Sequence, residues 1–294
     1  MFSRRHPYLF SILVFSAMMA LVVTAVAVVA GIVLKSENEP DFSGEKVGVV
    51  TIQGPITDSR EAIRQLKVLR ESEAVKSIVV RVNSPGGAVG PSQEIYREVM
   101  KTKKVKKVVA SMGSVAASGG YYIAAAADRI VANPGTITGS IGVIMGFTNF
   151  RQLMDKIGLT PVVIKSGPYK DIGSPTRAMT DEEKALLQDI IDQIHRQFIQ
   201  AVSKGRNLEK EKVAELADGR IFSGQQAMEL GLVDTLGNFE DAVQLAGKLG
   251  GITGKVETVS AARSHFALID YLLGSAVQKI SACLAGQPLR FEMR

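Results

Sequence analysis

The 294-residue chain holds one cysteine, three histidines and no tryptophan. A lone thiol, Cys283, can form no internal disulfide, and so few imidazoles cannot assemble a Cys/His zinc site; no metal and no cofactor are expected. His6, His195 and His265 all lie far in sequence from the glycine-rich turns described below. Any catalysis is therefore expected to use a base other than imidazole. His195 reads as a helix-surface or packing residue, and Cys283, among small neighbours, as an apolar filler. Strong net charge is also missing. The formal charge is +6, and setting aside Arg4 and Arg5 leaves 33 basic against 29 acidic groups, too even a balance for nucleic-acid binding. The basic run Lys101 to Lys107 could touch anionic lipid but reads first as a solvated helix end.

The one long hydrophobic run stretches from Tyr8 to Leu34, 27 residues without a charge. At about 1.5 Å per residue it could cover about 40 Å, more than the roughly 30 Å hydrocarbon core of a bilayer. A cleaved signal peptide is the alternative, but its apolar region usually runs only about 7 to 15 residues. An uncleaved anchor is expected. Arg4 and Arg5 precede the run, and Glu37, Glu39 and Asp41 follow it, so the positive-inside rule leaves residues 1–7 in the cytoplasm and the rest of the chain outside. The expected organisation is a cytoplasmic N-terminus 1–7, a transmembrane anchor 8–34, a polar linker 35–46, a folded domain 47–250 and a tail 251–294.

Within the folded part, β-branched runs alternate with amphipathic ones. VGVVTIQG (47–54), KSIVVRVN (76–83), VKKVVASM (105–112), DRIVAN, SIGVIM and TPVVIK (160–165) read as strands. Between them lie a helix with Asp58 and Glu61 at capping distance, a helix with Pro91 in its first turn, the small-residue helix YYIAAAAD and a short helix near 150–156. The order predicts an α/β fold with a parallel sheet and flanking helices. A long helix follows, from DEEKALL onward, with Leu187, Ile190, Ile194, Phe198 and Val202 along one stripe. Ser223 reads as the cap of a further helix that Gly231 closes before a short strand, Leu232-Val233. The tail shows a helix-like apolar face from Phe266 to Ile280 and an extended end.

Two turns and one lysine carry candidate chemistry. Ser118, in Ala117-Ser118-Gly119-Gly120, stands where a strand turns into a helix, and there a hydroxyl meets unpaired N–H groups that favour negative charge. The same serine is equally legible as an ordinary helix cap. Ser84-Pro85-Gly86-Gly87 ends an earlier strand, where open α/β sheets place ligands; the Gly87 and Gly119 amides could together bind an oxyanion. Without imidazole, a nucleophilic serine needs a lysine, which must be neutral to act as base. Lys170 differs from most of the 19 lysines by lying in a Gly/Pro/Ser loop, SGPYKDIGSP, with Ser140 a plausible hydroxyl to orient it. Taken alone it could equally be a surface charge.

The segments MGSVAASGGYYIAAAADRIVANPGTITGSIGVI, SGPYKDIGSPTRAMTDEEK and DGRIFSGQQAMELGLVDTLG closely resemble the signal peptide peptidase A family in its short, single-unit form. The resemblance runs from about Val47 to about Ala246. It implies the fold of the Clp protease and crotonase superfamily and a membrane-anchored Ser/Lys endopeptidase. It implies Ser118 as nucleophile, Lys170 as general base, Ser140 as the residue that holds the lysine, and the Gly87 and Gly119 amides as oxyanion hole. Its implied partners are apolar peptides such as remnant signal peptides, the lipid bilayer, and further copies of the chain, because one unit holds both serine and lysine. A crotonase-type acyl-CoA enzyme and a non-catalytic membrane scaffold are the rival readings.

Overall fold

Two-residue periodicity and β-branching place most of the strands. The computed structural model describes residues 43–261, the strand residues 290 and 291, and scattered helical positions between 8 and 25. β1 (Lys46–Gln53), β2 (Val75–Ser84) and β4 (Lys107–Ala117) form the middle of an eight-stranded sheet, with β3 (Gly87–Ala88) leaving β2 at the tight turn. The sheet order is β7-β6-β4-β2-β1-β9, where β6 is Ile137–Gly139, β7 Ile221–Ser223 and β9 Glu257–Ser260. β5 (Arg129–Ala132) pairs with the first half of β4 and with β8 (Thr235–Leu236), while β6 pairs with the second half of β4. All these pairings are parallel except β6 with β7. β9 joins the sheet beside β1, so the body takes in residues beyond 250.

Each strand sends alternate side chains to opposite faces. Val47, Val79, Val109 and Val131, one from each of four strands, meet Ala242, Val243 and Ala246 of α8 (Phe239–Gly250) on one face. The other face buries Val50, Ile78, Val80 and Val108 under α1 (Arg60–Glu71), α2 (Val89–Thr102) and α3 (Gly119–Ala124). Burying each such valine stabilises the fold by about 1.5 kcal/mol or more, so a charge at Val79 would break this two-sided packing. α5 (Asp181–Arg206) opens on a capping box between Thr180 and Glu183. Its apolar stripe is buried only towards the C-terminal end, at Phe198 and Val202. α4 (Arg151–Lys156), α6 (Lys210–Leu216) and α7 (Gly224–Glu229) complete the helices of the body; Ser223 caps α7 as the sequence indicates.

Some expected elements are absent. TPVVIK (160–165) and SIGVIM form no strand. A strand needs a partner for its backbone groups, and the TPVVIK segment has none among the described residues; Val162 is 85% and Ile164 98% exposed. The strand after Gly231 lies at Thr235–Leu236 rather than at Leu232-Val233. Asp58 does not cap α1 through Glu61: it takes the Arg60 amide at 2.8 Å, and Glu61 pairs with Arg64 instead. The expected anchor 8–34 lies mostly outside the described residues, of which Tyr8, Phe10, Ile12, 15–22, Thr24 and Ala25 are helical. No helix among the described residues is long and apolar enough to cross a membrane.

Candidate active site

Because β2, β4 and β6 are neighbours, the turns that follow them meet at the carboxyl edge of the sheet. Ala117 pairs with Gly139, and the Ser118 amide donates to the Gly139 carbonyl at 2.8 Å. On the other side the ASGG turn presses on the SPGG turn: a Cβ on Gly120 would stand 2.9 Å from the Ser84 carbonyl oxygen. Ser84 Oγ in turn accepts from the Gly86 amide at 3.1 Å and shapes that turn. The sheet thus brings Ser118, Gly119, Ser140 and the Gly87 turn to one edge.

Ser118 has φ 54° and ψ −120°, outside the regions open to an ordinary L-residue. Such a conformation costs about 1–3 kcal/mol and persists only where packing enforces it. Here α3 supplies that packing. Tyr121 is fully buried and its hydroxyl donates to the Leu232 carbonyl at 3.0 Å, while the Tyr122 ring meets Tyr96 and Phe198 edge-on, each at 4.9 Å. The Ser118 hydroxyl is wholly buried and makes no hydrogen bond to any described residue. Gly119 opens α3, so its N–H has no intrahelical acceptor. Ser140 is also at positive φ, 49°, and nearly buried, its amide held by the Arg220 carbonyl at 2.8 Å.

Gly87 is fixed by close approach. The Ile56 amide donates to the Gly86 carbonyl at 2.8 Å, and the Ala88 amide donates to the Ile56 carbonyl at 2.7 Å. A Cβ on Gly87 would lie 2.6 Å from Ile56 N. With the flanking groups turned to Ile56, the N–H and C=O of Gly87 face the opposite way. There β10 (Arg290–Phe291) runs antiparallel to β3, with Phe291 opposite Gly87. Ile56 carries no sequence mark of this role.

Lys170 is not a hydrogen-bond partner of the buried Ser118 hydroxyl. It is exposed, on a stretch whose large apolar side chains are also exposed, among them Phe147, Phe150, Leu153 and Ile157. Its neighbour Asp171 is bound elsewhere: Oδ1 accepts from Lys165 Nζ at 2.6 Å and from Arg177 Nη2 at 2.8 Å, and Oδ2 from Arg177 Nε at 2.9 Å. Arg177 reaches on to Glu183. The Arg177 guanidinium, then Lys165, hold the Asp171 carboxyl well below the usual carboxylate range, and Arg177 with the Thr180 amide lowers Glu183 to about 2. These four residues are spaced six apart, a period of no regular element, so no periodicity search finds them.

The peptidase family S49 model matches residues 100–253, and the Clp protease model matches residues 45–136. The chain belongs to peptidase family S49. This S49 protease is 50% identical over 211 residues to "Putative protease slr0021" of Synechocystis, covering 71% of this chain and 76% of the relative. It is 40% identical to "Putative signal peptide peptidase SppA" of Enterococcus faecium over 70% of this chain and 64% of that protein. "Protease 4" of Salmonella typhi is 36% identical over 73% of this chain, which spans only 36% of that longer relative. The parallel sheet with flanking helices is consistent with a Clp protease-like fold in this S49 member. Among the described residues no group of acidic, histidine or cysteine side chains could hold a metal ion.

Proposed function

We propose that this protease is a membrane-anchored serine endopeptidase in which Ser118 is the nucleophile and Lys170 of a neighbouring copy is the general base. The observation that carries the reading is the Ser118 hydroxyl: buried, unpartnered among the described residues and held at a strained strand-to-helix turn. An unsatisfied buried hydroxyl costs about 1–3 kcal/mol, a cost expected where a group waits for a partner. Lys170, exposed on an apolar stretch, has the complementary lack. A second copy covering that stretch would remove apolar surface from water, desolvate the amine and bring it to the serine.

In the proposed reaction neutral Lys170 takes the Ser118 proton as Oγ attacks a peptide carbonyl. The Gly87 and Gly119 amides stabilise the oxyanion, Ser140 holds the lysine, and the lysine returns the proton to the leaving amine. Water then releases the acyl group by the reverse use of the same base. Remnant signal peptides are the proposed substrates, supported by the name of the E. faecium relative. The apolar run 8–34 supports an anchor with the catalytic body outside the cytoplasm, where confinement to the surface would concentrate such peptides.

Complementation tests the reading. Ser118→Ala and Lys170→Met chains are each expected to be inactive on a fluorogenic peptide, whereas co-expressed they should recover about a quarter of parent activity if each site borrows its lysine across a head-to-tail interface. No recovery, with both single variants dead, places serine and lysine in one chain; activity in Ser118→Ala sinks the mechanism. Labelling of Ser118 by a phosphonate probe separates this reading from a crotonase-type enzyme.

A further inference from the structure

We infer that Arg177 is a positioning residue for the Lys170 base: it keeps the adjacent Asp171 carboxylate turned away from the lysine amine. The inference rests on Lys170 being the base. A carboxylate one residue along the loop is the nearest group in sequence able to trap Lys170 as an ammonium, since an opposite charge within about 4–6 Å favours the charged form.

Arg177 binds Asp171 as a fork, Nε to Oδ2 and Nη2 to Oδ1, and Nη2 also reaches the Asp171 carbonyl at 3.2 Å. Lys165 Nζ also donates to Oδ1, at 2.6 Å. The far side of the guanidinium binds Glu183, with Nη1 to Oε2 at 2.8 Å, and Nη1 also reaches the Ala178 carbonyl at 3.0 Å. Glu183 is buried in the capping box of the 26-residue α5. A continuous set of charge-assisted bonds therefore runs from a rigid helix to the residue beside Lys170. The charged groups that meet in it are Lys165, Asp171, Arg177 and Glu183, two of each sign, so the network closes on itself. Among the described residues Lys170 has no ion pair, and it is the cation of this loop left over. Lysine could not replace Arg177, because a point ammonium cannot offer two planar forks at once.

A structural staple would look the same in a static picture, so the test reads the pH profile. The full-length protein in detergent is assayed for kcat/KM on a fluorogenic peptide from pH 5 to 10, as parent, Arg177→Met, Asp171→Asn and Arg177→Met/Asp171→Asn. Removing the Arg177 fork leaves the Asp171 carboxylate held by Lys165 alone and should move the acid limb up by about one pH unit or more. Removing its charge in the double variant should return the limb to the parent position, as should Asp171→Asn alone. An unmoved limb in Arg177→Met, or one displaced equally in the double variant, overturns the inference. Should Arg177→Met be inactive throughout, recovery in the double variant supports it and continued inactivity overturns it. Lys170→Met is the separating control: activity there removes the underlying dyad, whereas an inactive Lys170→Met with an unmoved Arg177→Met limb removes only the role of Arg177.

Discussion

The Ser118 amide donates to the Gly139 carbonyl at 2.8 Å, one residue before Ser140. That bond extends the β4–β6 pairing one residue past the end of β4 and sets two residues at positive φ side by side. Two strained turns on one edge, each supported by its neighbour, hold their side chains in place. The consequences can be measured.

Ser118→Ala should separate activity from stability. Loss of the proposed nucleophile is expected to lower kcat/KM by at least about a thousandfold. Removing a buried hydroxyl with no partner among the described residues should leave the protein as stable or more stable, by up to about 1–2 kcal/mol. Thermal unfolding of both proteins decides; a clear fall in Tm would mean that the hydroxyl has a partner in the folded protein.

Gly87→Ala should damage both properties. The added methyl would fall against the Ile56 backbone, 2.6 Å from its nitrogen, and only backbone movement could relieve it. A loss of about 1–3 kcal/mol is expected, together with a marked drop in kcat as the Gly87 amide shifts. Unchanged kcat in a folded variant would remove Gly87 from the oxyanion hole.

Acid should loosen the Lys170 loop before it unfolds the body. Glu183 is held at about 2, and Asp171 is likewise depressed well below its ordinary value. A depressed carboxylate contributes stability that is full above its unfolded pKa and is lost as pH falls through the folded one. Limited proteolysis near 166–180 should therefore be slow at pH 6 and accelerate from about pH 4 downward. Loop cleavage that tracks global unfolding at every pH would count against a separate network.

Chain termination after Gly286 should uncover the Gly87 edge. β10 occupies the side of β3 toward which the Gly87 N–H and C=O face, a position an extended peptide would also use. A lower KM with kcat little changed is expected. If KM is unaltered, the β10 pairing does not compete with substrate.

Much of the fold was legible because it depends on local order. The β-branched runs of β1, β2 and β4, the Ser223 cap and the small-residue turn at Ser118 are patterns within a few residues, and the alternation of strand and helix dictates a parallel sheet. TPVVIK misled for the same reason: its composition suits a strand, but pairing requires an edge that no described segment offers it. The anchor run and the tail beyond Ala261 lie outside the described residues apart from a few positions, and there the sequence stands alone.

By itself the sequence determined which residue types are present for chemistry: a serine and a lysine in glycine-bearing turns, with imidazole and thiol nearly absent. Only the tertiary structure decided that Ser118 is buried without a partner among the described residues, that Ile56 seats Gly87, and that Arg177 rather than Lys170 takes the Asp171 carboxylate. Those are contacts between segments far apart in sequence or at spacings no regular element repeats. Their energies depend on which faces the sheet and α5 bring together, and composition does not encode that.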